Sequence, residues 1–217
     1  MKLSKRLEAV ADMVTPGSVI CDVGTDHAYL PIELVKSGII KSAIAMDINK
    51  GPLERAVSHI KDSNLEDSIE CRLSDGLEAL DTAEADCAVI AGMGGDLISA
   101  IIKRYPDKVN ELVLSPHTHY ETVRRVLKLC GFSIVKENMI IEDDKYYLII
   151  KAIKSDSVSQ DSNEAYDYFG EYLINNKNKV LLQYLLHEED KYKIIPQKSD
   201  YLLIVRDAIR EITNDKY

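Results

Sequence analysis

Through the first two-thirds of the chain, short runs of branched apolar residues alternate with segments whose apolar positions recur at helical spacing. This alternation predicts a parallel sheet covered on both faces. A strand buried on both sides reads as an unbroken apolar run, while each covering helix shows a single apolar stripe. The pattern predicts helices over 2–14, 28–37, 52–61, 96–104 and 120–129, and strands over 18–23, 42–47, 68–73, 87–91 and 111–115. Two runs rich in Ile and Tyr, 132–140 and 146–153, flank the polar Glu142-Asp143-Asp144-Lys145, which predicts a hairpin.

Past residue 154 the texture changes. Ser, Asp and Gln crowd 155–162, as in a linker. Leu181, Leu182, Leu185 and Leu186 then recur at helical spacing, as do Tyr201, Val205, Ala208, Ile209 and Ile212, with Pro196 between the two runs. The division expected is therefore 1–154 and 155–217, the second unit holding two antiparallel helices. That unit reads equally as a stabilising hairpin or as a partner-binding element. Tyr166, Tyr168, Tyr172, Tyr184, Tyr192 and Tyr201 could stack bases, although aromatics at helical spacing are more often core.

Composition narrows the function classes. With 46% hydrophobic and 29% charged residues the chain reads as globular, and no apolar run is long enough to span a bilayer. Its opening, Met1-Lys2-Leu3-Ser4-Lys5-Arg6-Leu7, leads into a charged amphipathic stretch, unlike a secretory leader, so a cytoplasmic location and no membrane partner are expected. Cys21, Cys71, Cys87 and Cys130 form no Cys-x-x-Cys pair and read as small hydrophobes, the first three in buried strands. A net charge of -9 argues against non-specific coating of nucleic acid, and no DNA partner is expected, although a local basic face can coexist with an acidic whole.

Four strand ends carry the candidate chemistry. The first strand ends in Asp22-Val23-Gly24, where the glycine allows a sharp turn and a close ligand approach, the following helix start favours a carboxylate, and Asp22 can accept from an amino group. Asp47, followed by Ile48, falls roughly 20 residues after the glycine turn, where an acidic residue binds ribose hydroxyls in such folds. Ser74-Asp75-Gly76 follows the third strand and could meet the exocyclic amine of an adenine, or be a solvated loop. Ala91-Gly92-Met93-Gly94-Gly95 follows the fourth, and its glycines leave room for a flat substrate, beyond what a helix-start turn needs. Acidic residues at three successive strand ends, with few glycines, suit S-adenosylmethionine better than a phosphate-rich cofactor. A parallel sheet closed by an antiparallel hairpin is the class I methyltransferase arrangement, so the fold expected is α/β, Rossmann-like, with a helical C-terminal unit.

Thr25-Asp26-His27-Ala28-Tyr29-Leu30-Pro31 together with Ala91-Gly92-Met93-Gly94-Gly95 resembles the bacterial TrmK family of tRNA (adenine-N1)-methyltransferases, which modify adenine 22 of tRNA. The resemblance extends to the Leu3-to-Leu7 opening, 124–131 and the 137–147 hairpin, and more loosely to the C-terminal helices. It implies a class I catalytic domain followed by a helical, coiled-coil-like domain that helps hold tRNA. Where the family commonly has Gln-Pro-Asn after the fifth strand, this chain has Ser115-Pro116-His117, so the side chains there that meet the target base are not carried over. His117 and His119 lack a matching carboxylate cluster and read as ordinary loop residues; no metal is expected.

Adenine N1 already holds a lone pair, so alignment with the methyl donor is the main requirement. Asp26 is the candidate to accept from the adenine amine and help remove a proton, with helix capping as its alternative; His27 is a second acid/base candidate. Tyr29 and Met93 are placed against base or cofactor, Met93 with packing as the stronger reading. Because N1 is blocked in a paired helix, the base must be drawn out, and the protein must grip folded RNA. Lys2, Lys5, Arg6, Lys103, Arg104, Arg124, Arg125 and Lys128 are candidates for a phosphate-facing surface, each with simple solubilisation as its alternative. Two rival readings stay open: a methyltransferase acting on a small molecule or protein, and a non-catalytic RNA-binding module.

Overall fold

The computed structural model describes residues 3–157 and 163–213. Lys2 and the 158–162 part of the expected linker lie outside the described residues. Seven strands form one sheet: β1 (Val19–Val23), β2 (Ser42–Asp47), β3 (Ile69–Leu73), β4 (Cys87–Ala91), β5 (Glu111–Ser115), β6 (Phe132–Glu142) and β7 (Lys145–Lys154), in the order β3-β2-β1-β4-β5-β7-β6. The first five run parallel, and β7 inserts antiparallel between β5 and β6. The hairpin turn is Asp143-Asp144, both left-handed (φ 48 and 59), the geometry of a two-residue primed turn whose twist matches the strands.

Helices α1 (Lys5–Ala11), α2 (Tyr29–Lys36) and α3 (Lys50–Asp62) cover one face, and α4 (Gly95–Arg104) and α5 (Tyr120–Leu129) the other. The strands alternate between the two cores as a pleated chain must: Ile20 and Val89 face one, Cys21 and Ile90 the other. Helix α1 is shorter than the expected 2–14. The Ser4 hydroxyl accepts from the Leu7 amide and starts it, and Met13 and Val14 extend the apolar stripe as buried turn residues. Of the cysteines, Cys21 and Cys87 are buried while Cys71 and Cys130 are half-buried; all four are free thiols, with pKa values raised chiefly by burial.

The two expected C-terminal helices are α8 (Lys179–Tyr192) and α9 (Ser199–Thr213). Two short helices, α6 (Glu164–Phe169) and α7 (Glu171–Asn175), precede them and were not legible in the periodicity. Phe169, Leu173, Leu181, Leu185, Val205 and Ala208 share one apolar cluster with Ile90 and Leu112 of the sheet, so the helices complete the core rather than form a separate one. The tyrosines pack against one another: Tyr168 and Tyr192 stand edge-on to Tyr201 at 5.7 and 5.6 Å, and the Tyr201 hydroxyl donates to buried Glu188 at 2.8 Å. Among the described residues no helix is long and apolar enough to cross a membrane.

Candidate active site

The strand order reverses direction between β1 and β4, and open α/β sheets bind ligands at such a switch point, beyond the carboxyl ends of the strands. A cavity of about 320 Å³ lies there, walled by the loops after β1 and β4, by Arg6 and Leu7 of α1, and by His117 after β5. The β1 loop is held down by the Gly24 and Thr25 amides, which both donate to the Met46 carbonyl at 2.8 and 3.0 Å. It turns through Gly24, Asp26 and Ala28 with φ of 76, 43 and 56. Left-handed Asp and Ala cost of order 1 kcal/mol each, strain that tends to gather at functional sites.

Buried charge defines the cavity. Asp22 is 7% exposed, and its carboxylate accepts from the Thr25 hydroxyl at 2.6 Å. Burial pushes its pKa up to about 6; the Thr25 hydrogen bond opposes this, and nearby Asp47 adds to it. Arg6 is half-buried, and its Nη1 is buried with no hydrogen-bond partner. Glu142 at the hairpin tip accepts from the Lys5 and Arg6 amides at 2.6 and 3.4 Å, which fixes the start of α1 and hence Arg6. The Arg6 guanidinium sits over the Tyr147 ring at 5.8 Å.

Six of the residues singled out at or after strand ends therefore meet in one cavity, Asp22, Gly24, Asp26, His27, Tyr29 and Gly92, together with Arg6, a phosphate-contact candidate in the sequence. Asp26 does not cap α2, whose N-cap is Ala28; its carboxylate is paired with Arg55 at 2.8 Å and lies 3.4 Å from His27 Nε2. His27, Tyr29 and His59 form a cluster of near-parallel rings, with centroids 5.0 to 5.3 Å apart. His59 Nδ1 lies 3.1 Å from the His27 carbonyl, while His27 Nδ1 is buried without a partner. Met93 reaches across the switch point and rests its Cε over Gly24, whose φ of +76 favours glycine.

The adenine-side candidates lie on the same sheet edge but outside this cavity. Asp47 is 9% exposed and accepts from the Asn49 amide at 2.7 Å, and Ile48 beside it is 61% exposed. The Ser74 hydroxyl is committed to its own loop, donating to the Gly76 carbonyl at 2.9 Å and accepting from the Ala79 amide at 3.1 Å. Asp75 is paired with Arg104 at 2.9 Å. Gly76 is a packing glycine, where a Cβ would press Ile101 at 3.1 Å. The glycine excess after β4 is partly structural as well. Gly94 is the N-cap of α4, and a Cβ on Gly95 would lie 2.2 Å from the Thr118 carbonyl.

The phosphate-facing arginines need correction. Arg124 is 1% exposed and cannot meet RNA: its Nε donates to buried Glu137 at 2.8 Å, and its Nη1 to the Asp167 and Tyr168 carbonyls at 3.1 and 2.8 Å. Arg125 is exposed but paired with Asp167 at 3.0 Å, which Lys128 shares at 2.9 Å, and Arg104 holds Asp75 and Glu78. Arg6 turns inward to the cavity, while Lys5 and Lys103 remain exposed. His119 is paired with Asp96 at 2.7 Å, and among the described residues no three or more His, Cys, Asp or Glu side chains gather as a metal site. Sequence reasoning gave no role to Thr25, which bonds Asp22 three residues before it, and missed Arg55, Glu142 and Tyr147, whose roles arise from tertiary neighbours.

An amino-acid moiety fits this cavity on its chemistry: a buried carboxylate for the ammonium group and an unpartnered guanidinium nitrogen for the carboxylate, around a glycine that admits close approach.

The methyltransferase-domain family matches residues 3–150. Over 215 residues the chain is 36% identical to the tRNA (adenine(22)-N(1))-methyltransferase of Bacillus subtilis, covering 92% of this chain and 88% of that protein. The crystal structure of the B. subtilis M1A22 tRNA methyltransferase TrmK superposes with a TM-score of 0.83 at 31% identity, covering 98% of each chain. M. capricolum TrmK, solved with the cofactor product S-adenosyl-homocysteine, superposes with a TM-score of 0.83 at 31% identity over 99% of this chain and 97% of that one.

Proposed function

The chain belongs to the TrmK family of S-adenosylmethionine-dependent tRNA (adenine-N1)-methyltransferases, and we propose that it methylates N1 of adenine 22 in tRNA. The carrying observation is the cavity at the β1/β4 switch point, where a buried carboxylate, a free guanidinium nitrogen and two positive-φ glycines face one another.

S-adenosylmethionine, when bound, supplies an electrophilic methyl group on its sulfonium. Asp22 accepts from the ammonium of its amino-acid end and Arg6 donates to its carboxylate. Asp47 accepts from ribose hydroxyls, Ile48 covers the adenine, and the Ser74-Asp75-Gly76 backbone borders it. Gly92 and Gly94 would leave room beside the transferred methyl, and Met93, which rests over Gly24, would border the sulfonium. Tyr29 and His27 offer a flat ring surface to the flipped target base. Asp26, already paired with Arg55, steadies that loop.

Residues 1–154 form the catalytic unit and 155–217 a helical unit whose antiparallel α8 and α9 pair, coiled-coil-like, assists tRNA binding, with exposed Lys5 as a phosphate contact in a cytoplasmic enzyme. Incubating unmodified tRNA with the protein and labelled S-adenosylmethionine, then mapping the product, tests this. Methyl at N1 of adenine 22 is expected; label at another position, or only in small molecules, overturns it.

A further inference from the structure

His117 is the second residue after β5, separated from Ser115 by Pro116 alone, and the family pattern offers no role for it. In the fold it is neither buried nor idle. Its amide donates to the Met93 carbonyl at 2.9 Å, tying it to the glycine-rich loop. Its exposed ring lines the cavity mouth edge-on to Tyr147 at 5.9 Å, with Cε1 4.0 Å from where a Cβ on Gly92 would lie. Neither ring nitrogen hydrogen-bonds another described residue, whereas His119 is engaged by Asp96 and Asp26 by Arg55.

Resting on the reading above, we propose that a ring nitrogen of His117 accepts a hydrogen bond from the exocyclic amine of the target adenine, holding the base with N1 toward the methyl donor. An acceptor here must be neutral. The groups facing the ring are Arg6 from α1 and Lys145 and Tyr147 from β7, with Asp22, Asp26 and His27 across the cavity. Partial desolvation at the cavity mouth, then the Arg6 and Lys145 charges, hold the His117 pKa below the ordinary imidazole value, which keeps the acceptor form at neutral pH. Methyl transfer leaves positive charge on the adenine ring, so its amine becomes a stronger donor and the bond tightens in the transition state. The contact therefore acts on kcat more than on binding.

The test is kcat with saturating tRNA and S-adenosylmethionine for wild type, H117A and H117Q, together with calorimetry of S-adenosylmethionine binding. H117A is expected to lower kcat roughly 10- to 100-fold, the range for a hydrogen bond to a group that gains charge, with cofactor affinity unchanged. H117Q, which restores an acceptor, recovers much of the rate and loses the acid limb of the kcat profile. A tRNA carrying purine riboside at position 22, which lacks the amine and has a less nucleophilic N1, should slow both proteins, wild type by the larger factor. Wild-type kcat in H117A, or an additional loss in H117A with the purine substrate equal to that in wild type, overturns the role of His117. Failure of wild type to modify adenine 22 overturns the underlying reading instead.

Discussion

The cavity at the switch point and the junction between α5, β6 and the C-terminal helices each bury acidic and basic groups, but they use the charge differently. At the junction Arg124 makes three hydrogen bonds, to Glu137 and to two carbonyls of α6, and Gly170 is a glycine because a Cβ there would strike the Glu137 carboxylate. In the cavity Asp22 accepts from one hydroxyl, and Nη1 of Arg6 donates to no described group. The first arrangement spends its charges on holding elements together; the second leaves them for a ligand. An arginine's role is thus decided by what is already bonded to it, not by its residue type.

Breaking the junction should have the largest effect. Removing one member of a buried pair strands the other, so R124A or E137A should each cost about 3–5 kcal/mol in denaturant unfolding. For a chain of this size that is a fall in Tm of roughly 10 °C. Arg124 Nη2 and Glu137 Oε2 are themselves buried without hydrogen bonds, so the double replacement R124M/E137L should recover most of the loss. A cost below about 1 kcal/mol for either single variant would place the junction in the same class as the cavity.

Asp22 should respond with the opposite sign. Its folded pKa of about 6 lies above the unfolded value of 3.8, so the folded state holds the proton more tightly and loses stability as pH rises from about 4 to 6. Above that window the ionised carboxylate costs the ligand-free fold up to about 3 kcal/mol. D22N should therefore raise ligand-free stability at pH 8 by about 1–3 kcal/mol while weakening S-adenosylmethionine at least about 10-fold. Wild-type affinity should fall as pH drops below 6. Calorimetry and thermal unfolding at pH 5 and pH 8 check both signs, and a D22N protein less stable than wild type at pH 8 would contradict them.

The sheet was legible because buried parallel strands and their covering helices have different apolar periods; each predicted strand is present, with ends shifted by a residue or two. The six cavity residues were legible because they sit at strand ends, where topology alone brings them together. Arg124 was not read correctly, although signals existed: it falls three residues before Leu127 on the inner stripe of α5, and Glu137 is in phase with buried Met139 on β6. A charge in phase with the core implies a buried partner, which a scan for basic patches overlooks. Helices α6 and α7 are too short to show a period, and Gly170 breaks them. Arg55 and Tyr147 owe their places to contacts between distant segments, which no local pattern encodes.

A smaller effect separates Arg6 from Arg124. Since Nη1 of Arg6 has no partner in the ligand-free chain, R6A should leave Tm nearly unchanged and weaken S-adenosylmethionine about 10-fold, with tRNA affinity altered little. Binding of each ligand measured separately decides this: a loss confined to tRNA would make Arg6 a phosphate contact.

The smallest effect is expected one residue away from the largest. Arg125 carries the same charge as Arg124 and follows it in the chain, but its side chain is 46% exposed and its partner Asp167 is also held by Lys128. Burial raises the Asp167 carboxyl, and Lys128 and Arg125 outweigh it, leaving the pKa below the ordinary value. Any stability from this carboxylate is present above the unfolded pKa and is lost as pH falls through the lower folded one. With water screening Arg125 and Lys128 remaining in place, R125A should cost no more than about 0.5–1 kcal/mol, and less in high salt. Denaturant titrations of R124A and R125A side by side, at low and high salt, compare the neighbours directly. If R125A proved as costly as R124A and insensitive to salt, burial would not be what sorts these charges.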